Sequence, residues 1–331
     1  MLSPTDTAAP DRCGALLLAH GAPERLEDIP EFLLNVRGGR KLPDAAVQEI
    51  VRRYKLIVGG SPLLRLTNLQ AQALGKALNE SAAAHGHAPV PVYVGMRNWK
   101  PFIAEAIGKI ASDGVNRIVT LCLAPHNSRT SVGLYRKRLS EAMEKIAPGL
   151  QVDFIENWHD EPGLILAFQE KLARALDQAQ QTENATVPVI FTAHSVPEKT
   201  IAEGDPYEQQ VRETAAAIAE TMSLPNWRVA FQSQGMTPEP WIGPTVESQI
   251  DMLAAAGHKH VLIAPIGFVS DHVEILYDID VVFRQYGAAK GVTILRTESL
   301  NDSPLFIQAL ASLVMARIRM TCHSERSESL S

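Results

Sequence analysis

The stretch Val187-Pro188-Val189-Ile190-Phe191-Thr192-Ala193-His194-Ser195-Val196-Pro197-Glu198 begins as an apolar run and ends in polar residues and a proline. Apolar runs of this length are typical of strands that are buried on both faces of a parallel sheet. Pro197 stops the strand because proline has no backbone N–H to donate. We therefore expect His194 at the carboxyl end of a buried strand, where open α/β sheets bind their ligands.

A second apolar run, residues 261–266, leads to a polar segment with helical spacing. Asp271, Glu274 and Asp278 would share one face of this helix. One interpretation is structural: Asp271 caps the helix and Glu274 completes a capping box, which leaves His272 and Asp278 without a role. The other is an acidic face that captures a divalent cation opposite an imidazole. One His and one Glu suit a transient ion better than a permanent metal site.

Apolar runs alternate with helical segments along the whole chain. Strands that are separated by single helices must be parallel, with right-handed crossovers. The predicted strands are 15–20, 91–95, 117–123, 151–156, 187–193, 228–232, 260–266 and 292–296. The predicted helices are 66–84, 101–112, 132–146, 164–180, 206–222, 245–256, 273–286 and 304–319. Eight strands in this order form either one barrel or two four-stranded sheets.

An internal repeat favours two sheets. Residues 17–24 and 191–198 both contain Ala-His followed by Pro-Glu at the same spacing, and each half later has an apolar strand that ends in Ala-Pro. Chance similarity between short phrases is the alternative explanation. The expected fold is α/β, with two Rossmann-like domains, each a four-stranded parallel sheet flanked by helices, and a ligand cleft between them.

The repeat also predicts domain boundaries. The N-terminal domain would cover 13–160 and the C-terminal domain 161–303, and a helix over 304–320 would pack back on the first domain. Residues 1–12 and 321–331 are expected to be disordered tails, because their composition gives them little apolar surface to bury.

Composition excludes several classes of protein. A net charge of −6, with scattered Lys and Arg, offers no basic surface for nucleic acid. Cys13, Cys122 and Cys322 are too far apart in sequence to suggest a disulfide framework, so we expect a reducing, cytoplasmic location. The chain has no apolar run of about 18 residues that would span a membrane, although peripheral contact through the last helix stays open. Dinucleotide, P-loop and hydrolase motifs are also absent.

Several motifs occur together in a fixed order. They are Gly95-Met96-Arg97 with Pro101, Ala193-His194-Ser195, Gly204-Asp205-Pro206-Tyr207, Gln232-Ser233 leading to Trp241 and Pro244, and Asp271-His272-Val273-Glu274. Together they resemble the signature regions of the ferrochelatases, which insert ferrous iron into a porphyrin. The resemblance runs from about Leu16 to the final helix, and it implies the chelatase fold with the porphyrin in the cleft.

Two further phrases are similar to one branch of that family. Residues 124–128 and 234–241 resemble the enzymes that use coproporphyrin III. The resemblance therefore implies that the protein makes Fe-coproporphyrin III (coproheme) in haem biosynthesis, with protoporphyrin IX as the alternative substrate. A cobaltochelatase for an early tetrapyrrole and a non-catalytic haem or porphyrin carrier stay open. A carrier would need the cleft but not both His194 and Glu274.

The resemblance also assigns roles to individual residues. His194 and Glu274 are the implied catalytic residues and iron ligands, on opposite sides of the flat macrocycle, and His20 is a further candidate ligand. The implied porphyrin-binding residues are His20, Arg37, Arg53, Tyr54, Ser61 and Tyr135, with Arg97 and Trp241 as further candidates. The implied metal route is Asp278 and His272. Iron insertion releases two pyrrole protons, so a proton acceptor must lie over the ring.

Three positions depart from the pattern of relatives. His20 stands where relatives of this branch often have tyrosine, Asn98 where some have histidine, and Val282 where some have an acid that extends the metal route. Three cysteines cannot supply the four ligands of the iron–sulfur cluster that some members hold. We therefore expect no permanently bound cofactor, with Fe²⁺ and a porphyrin as substrates. We also expect a monomer.

Overall fold

The computed structural model describes residues 12–57, 59–182, 186–235 and 238–328, so the predicted tail segments 1–11 and 329–331 lie outside the described residues. The strands of these ranges are β1 (Cys13–Ala19), β2 (Val92–Met96), β3 (Arg117–Cys122), β4 (Gln151–Ile155), β5 (Val189–His194), β6 (Trp227–Gln232), β7 (His260–Ala264) and β8 (Thr293–Arg296). The longer helices are α1 (Ile29–Val36), α2 (Asp44–Leu56), α3 (Leu63–Ala84), α4 (Ile103–Ser112), α5 (Val132–Ile146), α6 (Pro162–Thr182), α8 (Tyr207–Thr221), α9 (Val246–Ala255) and α12 (Pro304–Glu328). The short helices are α7 (Glu198–Ala202), α10 (Val273–Leu276) and α11 (Arg284–Ala289), and a π-helical segment, Asp278–Phe283, joins the last two.

The strands form two separate four-stranded sheets, which confirms the predicted fold class and excludes the barrel. The strand orders are β2-β1-β3-β4 and β6-β5-β7-β8. All strand pairs are parallel. Both halves have the same topology, with the first strand of each half in the interior of its sheet. The internal repeat in the sequence therefore corresponds to a repeat in the fold.

One hydrophobic cluster runs from the first sheet to the second. Its buried residues come from β1, β3, α3, α6, α8, β5, β7 and α12. Two smaller clusters cover the other face of each sheet. The two halves therefore share a core on one side, and the carboxyl ends of their strands are left to form the site.

Helix α12 closes this shared core. It packs against α3 and α6, and its Phe306 ring stacks on Trp158 with ring centroids 6.0 Å apart. The helix continues to Glu328, so residues 321–328, which we expected to be disordered, extend the helix instead. The domain boundaries at 160 and 303 stay a prediction. Among the residues that the structure describes, no helix combines the length and apolar character that a membrane crossing needs.

Of the longer helices, α1 and α2 were not predicted, and neither was the short helix α7. In α2 only Tyr54 is buried, and in α1 only Ile29 and Phe32 are buried. The apolar period of α2 was nevertheless present in the sequence and was overlooked, since Val47, Ile50, Val51 and Tyr54 have helical spacing. The predicted helix 273–286 is also wrong as a single helix. It changes at Tyr277, whose carbonyl accepts from the N–H of Val282 at 3.0 Å, and such π-helical turns are frequent at functional sites.

The close approach of α6 and α12 predicts a stability difference between two identical substitutions. A Cβ at Gly163 would lie 2.8 Å from the Cβ of Ala309 on α12, whereas a Cβ at Gly108 on α4 would meet nothing within 4 Å. We expect Gly163→Ala to lower the free energy of unfolding by about 1–3 kcal/mol through overpacking. Gly108→Ala should raise it by about 0.5–1 kcal/mol, because alanine restricts the unfolded chain. Urea unfolding measures both, and equal effects of the two variants would contradict this account of the packing.

Candidate active site

His194 and Glu274 meet at the carboxyl edge of the second sheet. His194 is the last residue of β5, and Glu274 lies in α10, which follows β7. The His194 Nε2 atom is 3.5 Å from Glu274 Oε1, and the two side chains keep 35% and 38% of their surface exposed. This contact leaves no room for a ring between them. The expectation that they lie on opposite sides of a macrocycle is therefore wrong, because the two side chains lie side by side.

Each member of this pair controls the charge of the other. Burial lowers the pKa of His194, but the charge and hydrogen bond of Glu274 outweigh burial and raise that pKa above its ordinary value. Burial alone would raise the pKa of Glu274, and His194 lowers it instead. Because a carbonyl can only accept, the Nδ1 of His194 donates to the Ser195 carbonyl. At neutral pH the pair is therefore an imidazolium beside a carboxylate.

Two side chains that the sequence analysis gave no role hold this pair in place. The Tyr207 hydroxyl donates to the His194 carbonyl at 2.9 Å. Gln232 is the last residue of β6, and its side-chain amide donates to the Glu274 carbonyl at 2.8 Å. The Gln232 carbonyl also accepts from the Ser195 N–H at 2.7 Å. Gln232 thus joins the end of β5 to α10. Its position at the end of a neighbouring strand was a signal that could have identified it.

The start of α10 differs from the capping box in the sequence analysis. The cap is His272, whose Nδ1 accepts from the Glu274 N–H at 3.1 Å, and burial lowers the pKa of this imidazole. Asp271 points to other partners, since its carboxylate binds Arg296, Ser299 and Asn301. Asp271 therefore fixes the loop before α10 and does not continue the acidic face.

Asp278 continues the site beyond Glu274. It accepts a short hydrogen bond from the Ser233 hydroxyl. Burial, together with the charge of Glu274, raises its pKa to about 6, although Ser233 acts in the opposite direction. Asp278 is therefore a carboxyl group that exchanges protons near neutral pH. Val282, where some relatives have an acid, packs against the apolar cluster behind the second sheet.

His20 enters the same site from the end of β1. Its Nδ1 lies 2.9 Å from the Gly21 carbonyl, and its Nε2 lies 3.0 Å from the Asn98 side-chain amide. Burial, and then the positive charge of Arg97, lower the pKa of His20 to about 4, while the charge of Glu274 opposes them. The imidazole is therefore neutral at pH 7, in contrast to that of His194.

The predicted porphyrin-binding tyrosines lie within the electrostatic reach of Glu274. Tyr54 and Tyr135 are buried, and burial, with a further contribution from Glu274, raises the pKa of each phenol. The Arg97 guanidinium lies 4.7 Å above the centre of the Tyr135 ring. The charge of Glu274 thus acts on His20, Tyr54 and Tyr135, and Arg97 lies against the last of these.

Arg53 reaches across from the first half to the second. Its guanidinium pairs with Glu49 at 3.1 Å and lies 5.3 Å from the centre of the Tyr277 ring. The neighbouring Arg52 donates to the Tyr277 hydroxyl at 2.9 Å. Helix α2, which the sequence analysis missed, therefore brings two arginines to the π-helical segment.

The other predicted porphyrin-binding residues have mainly structural contacts. Ser61 is buried, and its hydroxyl accepts from the Leu63 N–H at 3.3 Å at the start of α3. Trp241 packs so closely on Gly235 that a Cβ there would lie 2.5 Å from the indole ring. Arg37 has a buried Nε atom without a hydrogen-bond partner. Their roles toward a porphyrin stay predictions.

Comparison with known proteins agrees with this geometry. The family model that describes ferrochelatases matches residues 12–318. The chain is 43% identical to a ferrochelatase of Acidobacterium capsulatum, over 96% of this chain and 98% of that protein. It is 38% identical to a coproporphyrin III ferrochelatase of Geobacillus thermodenitrificans, over 92% of this chain and 96% of that protein.

A solved structure shows the same fold at much lower sequence identity. The sirohydrochlorin chelatase SirB from Bacillus subtilis subspecies spizizenii matches with a TM-score of 0.54 and 10% identity, over 96% of this chain and 97% of that one. At this identity the match supports the fold alone. The extent and identity of the sequence matches establish that the chain belongs to the ferrochelatase family.

Proposed function

We propose that this ferrochelatase inserts Fe²⁺ into coproporphyrin III and releases two protons. The observation that carries the proposal is the 3.5 Å contact between His194 and Glu274 at the edge of the shared site. The pair offers a carboxylate for a divalent cation next to an imidazole for proton transfer. Relatives named coproporphyrin III ferrochelatases, at 35–38% identity, support the choice of porphyrin.

Insertion exchanges one cation for two protons on the porphyrin nitrogens. Fe²⁺ competes with His194 for the Glu274 carboxylate, since both are cations that bind the same oxygens. Once Glu274 is shared with the metal, His194 loses the charge that kept it protonated, and its Nε2 proton passes to Asp278, whose charge acts on this imidazole, or to solvent. The neutral imidazole then accepts a pyrrole proton at Nε2, and the second pyrrole proton leaves by the same route after the first has been released. Asp278, with its pKa near neutral pH, lies beyond Glu274 and can pass protons to solvent.

The porphyrin is held through its carboxylates. Coproporphyrin III has four propionate groups and protoporphyrin IX has two, so the former gains more from cationic partners. Arginine holds a carboxylate through two parallel hydrogen bonds. Arg52 and Arg53 on α2 face Tyr277 on the opposite half, where they can reach a propionate at the mouth of the cleft.

The first prediction concerns the imidazole. We expect His194→Ala to reduce the rate of iron insertion by at least about 100-fold, the size of a lost acid–base group, while porphyrin binding persists. His85→Ala is the matched control, because His85 is an exposed histidine at the end of α3. Anaerobic absorbance assays with Fe²⁺ measure turnover, and porphyrin fluorescence measures binding. Equal turnover by His194→Ala and the wild type would refute the assignment.

A second prediction follows from the opposing effects on the His194 pKa. In the wild type this pKa lies above 6.5, because Glu274 outweighs burial. In Glu274→Gln this charge is absent, so the pKa of His194 should fall, although the Ser195 carbonyl and the charge of Asp278 still raise it. The ion pair stabilises the fold at neutral pH, and this contribution disappears as the pH rises through the raised His194 pKa or falls through the lowered Glu274 pKa.

Histidine NMR titrations of the wild type and Glu274→Gln measure this shift. Glu80→Gln, at an exposed position on α3, serves as the control and should leave the pKa of His194 unchanged. An unchanged His194 pKa in Glu274→Gln would show that the contact does not set the charge of the imidazole.

The choice of porphyrin gives a third prediction. Fe²⁺ insertion should have a higher kcat/KM with coproporphyrin III than with protoporphyrin IX when each is supplied separately. Arg53→Leu should raise KM for coproporphyrin III by about tenfold, which corresponds to about 1.4 kcal/mol of lost binding. Arg174→Leu is the matched control and should leave KM unchanged. Like Arg53, Arg174 is half-exposed and pairs with a glutamate four residues earlier. A preference for protoporphyrin IX would overturn the substrate and favour the alternative.

A further inference from the structure

The two halves place equivalent histidines at the ends of equivalent strands. His20 follows β1 and His194 ends β5, and these are the corresponding strands of the two sheets. Each imidazole directs Nδ1 at the carbonyl of the next residue, Gly21 or Ser195. Because a carbonyl oxygen can only accept, Nδ1 carries the proton in both rings. The two histidines therefore differ only in what faces Nε2.

At His20 the partner of Nε2 is Asn98. Its side-chain amide nitrogen lies 3.0 Å away. An amide nitrogen only donates, so Nε2 of His20 is an acceptor and the ring is the neutral Nδ1–H tautomer. At His194 the corresponding partner is the Glu274 carboxylate. Because an ionised carboxylate can only accept a hydrogen bond, Nε2 of His194 carries a proton. The same strand-end position thus carries a lone pair in one half and a proton in the other.

Asn98 is held firmly in this role. Its side chain is buried, with 6% exposed. Its backbone N–H donates to the His20 carbonyl at 3.0 Å, and the N–H of Arg97 donates to the Ala19 carbonyl at 3.0 Å. Asn98 is therefore joined to His20 through both main chain and side chain. The Phe32 ring, whose centre lies 6.0 Å from that of His20, limits rotation of the imidazole.

We propose that Asn98 is a positioning residue that prevents His20 from binding the iron of the product. A neutral imidazole is a strong ligand for iron, and His20 stands at the end of β1, the strand of the first half that corresponds to β5 with His194 at its end. The hydrogen bond from Asn98 occupies the Nε2 lone pair that such a bond would need. The iron porphyrin is then not retained by the protein. This inference rests on the proposed function.

The first test needs no variant. ¹⁵N NMR of the histidine side chains in the ligand-free wild type reports which ring nitrogen carries the proton. We expect His20 to show an unprotonated, hydrogen-bonded Nε2, and His20→Phe assigns the signal. A protonated Nε2 on His20 at pH 7 would overturn the proposal, because there would be no lone pair to occupy.

The second test measures retention of iron coproporphyrin III directly. Asn98→Ala removes the hydrogen bond to Nε2 of His20, while the Gly21 carbonyl keeps the proton on Nδ1. We therefore expect this variant to bind iron coproporphyrin III about tenfold more tightly. Its absorbance spectrum should show the change caused by an added nitrogen ligand on the iron. Asn98→Asp keeps the size of the side chain but favours a proton on Nε2, so it should show neither effect. The double variant Asn98→Ala/His20→Phe should bind like the wild type.

The outcomes separate this inference from the proposed function. Equal affinity and equal spectra for the wild type and Asn98→Ala would overturn the role of Asn98 alone, as would a gain that persists in the double variant. Failure of the wild type and every variant to bind iron coproporphyrin III or free coproporphyrin III would overturn the proposed function and this inference with it. Thermal unfolding of each variant checks that its fold is intact.

Discussion

The ion pair between His194 and Glu274 is the interaction on which the site depends. Removing two charges from water costs several kcal/mol for each ion when they are fully buried, and less here because a third of each side chain stays exposed. Their mutual attraction offsets this cost only while the two groups stay close. Two hydrogen bonds keep the groups close. Gln232 of β6 binds the Glu274 carbonyl in α10, and Tyr207 of α8 binds the His194 carbonyl at the end of β5.

The interior strands β1, β3, β5 and β7 were readable from the sequence because they are buried on both faces. All predicted strands form within a few residues of their expected limits, and His194 and Glu274 follow two of them as expected. Helix α1, with eight residues, is short, and α2 was missed although its apolar residues have helical spacing. As a result, the approach of Arg52 and Arg53 to Tyr277 was missed as well.

Contacts between side chains were harder to predict than strand ends. The side-by-side placement of His194 and Glu274 depends on the loop after β7, whose course is set by hydrogen bonds from Ser299 and Asn301 to Asp271. These partners are about thirty residues away in the sequence, so no local pattern encodes them. The capping role of His272 likewise depends on backbone geometry. Asn98 stood out only as a departure from relatives, and its contact with His20 required coordinates.

The two halves contact each other through two different kinds of interaction. On one side the halves share a continuous apolar core, and Gln70 on α3 donates to Ser270 and to the Asn301 carbonyl beyond β7. Separating the halves there would expose buried apolar surface, which costs a free energy of about 25 cal/mol for each Å² exposed. Elsewhere, α2 reaches Tyr277 through a hydrogen bond from Arg52 and a cation–π contact with Arg53, and such contacts contribute about 0.5–1.5 kcal/mol each. The shared core, which includes residues of β1 and β5, is therefore the stronger of the two connections between the halves. It fixes the two strands whose ends carry His20 and His194, one imidazole neutral and the other charged.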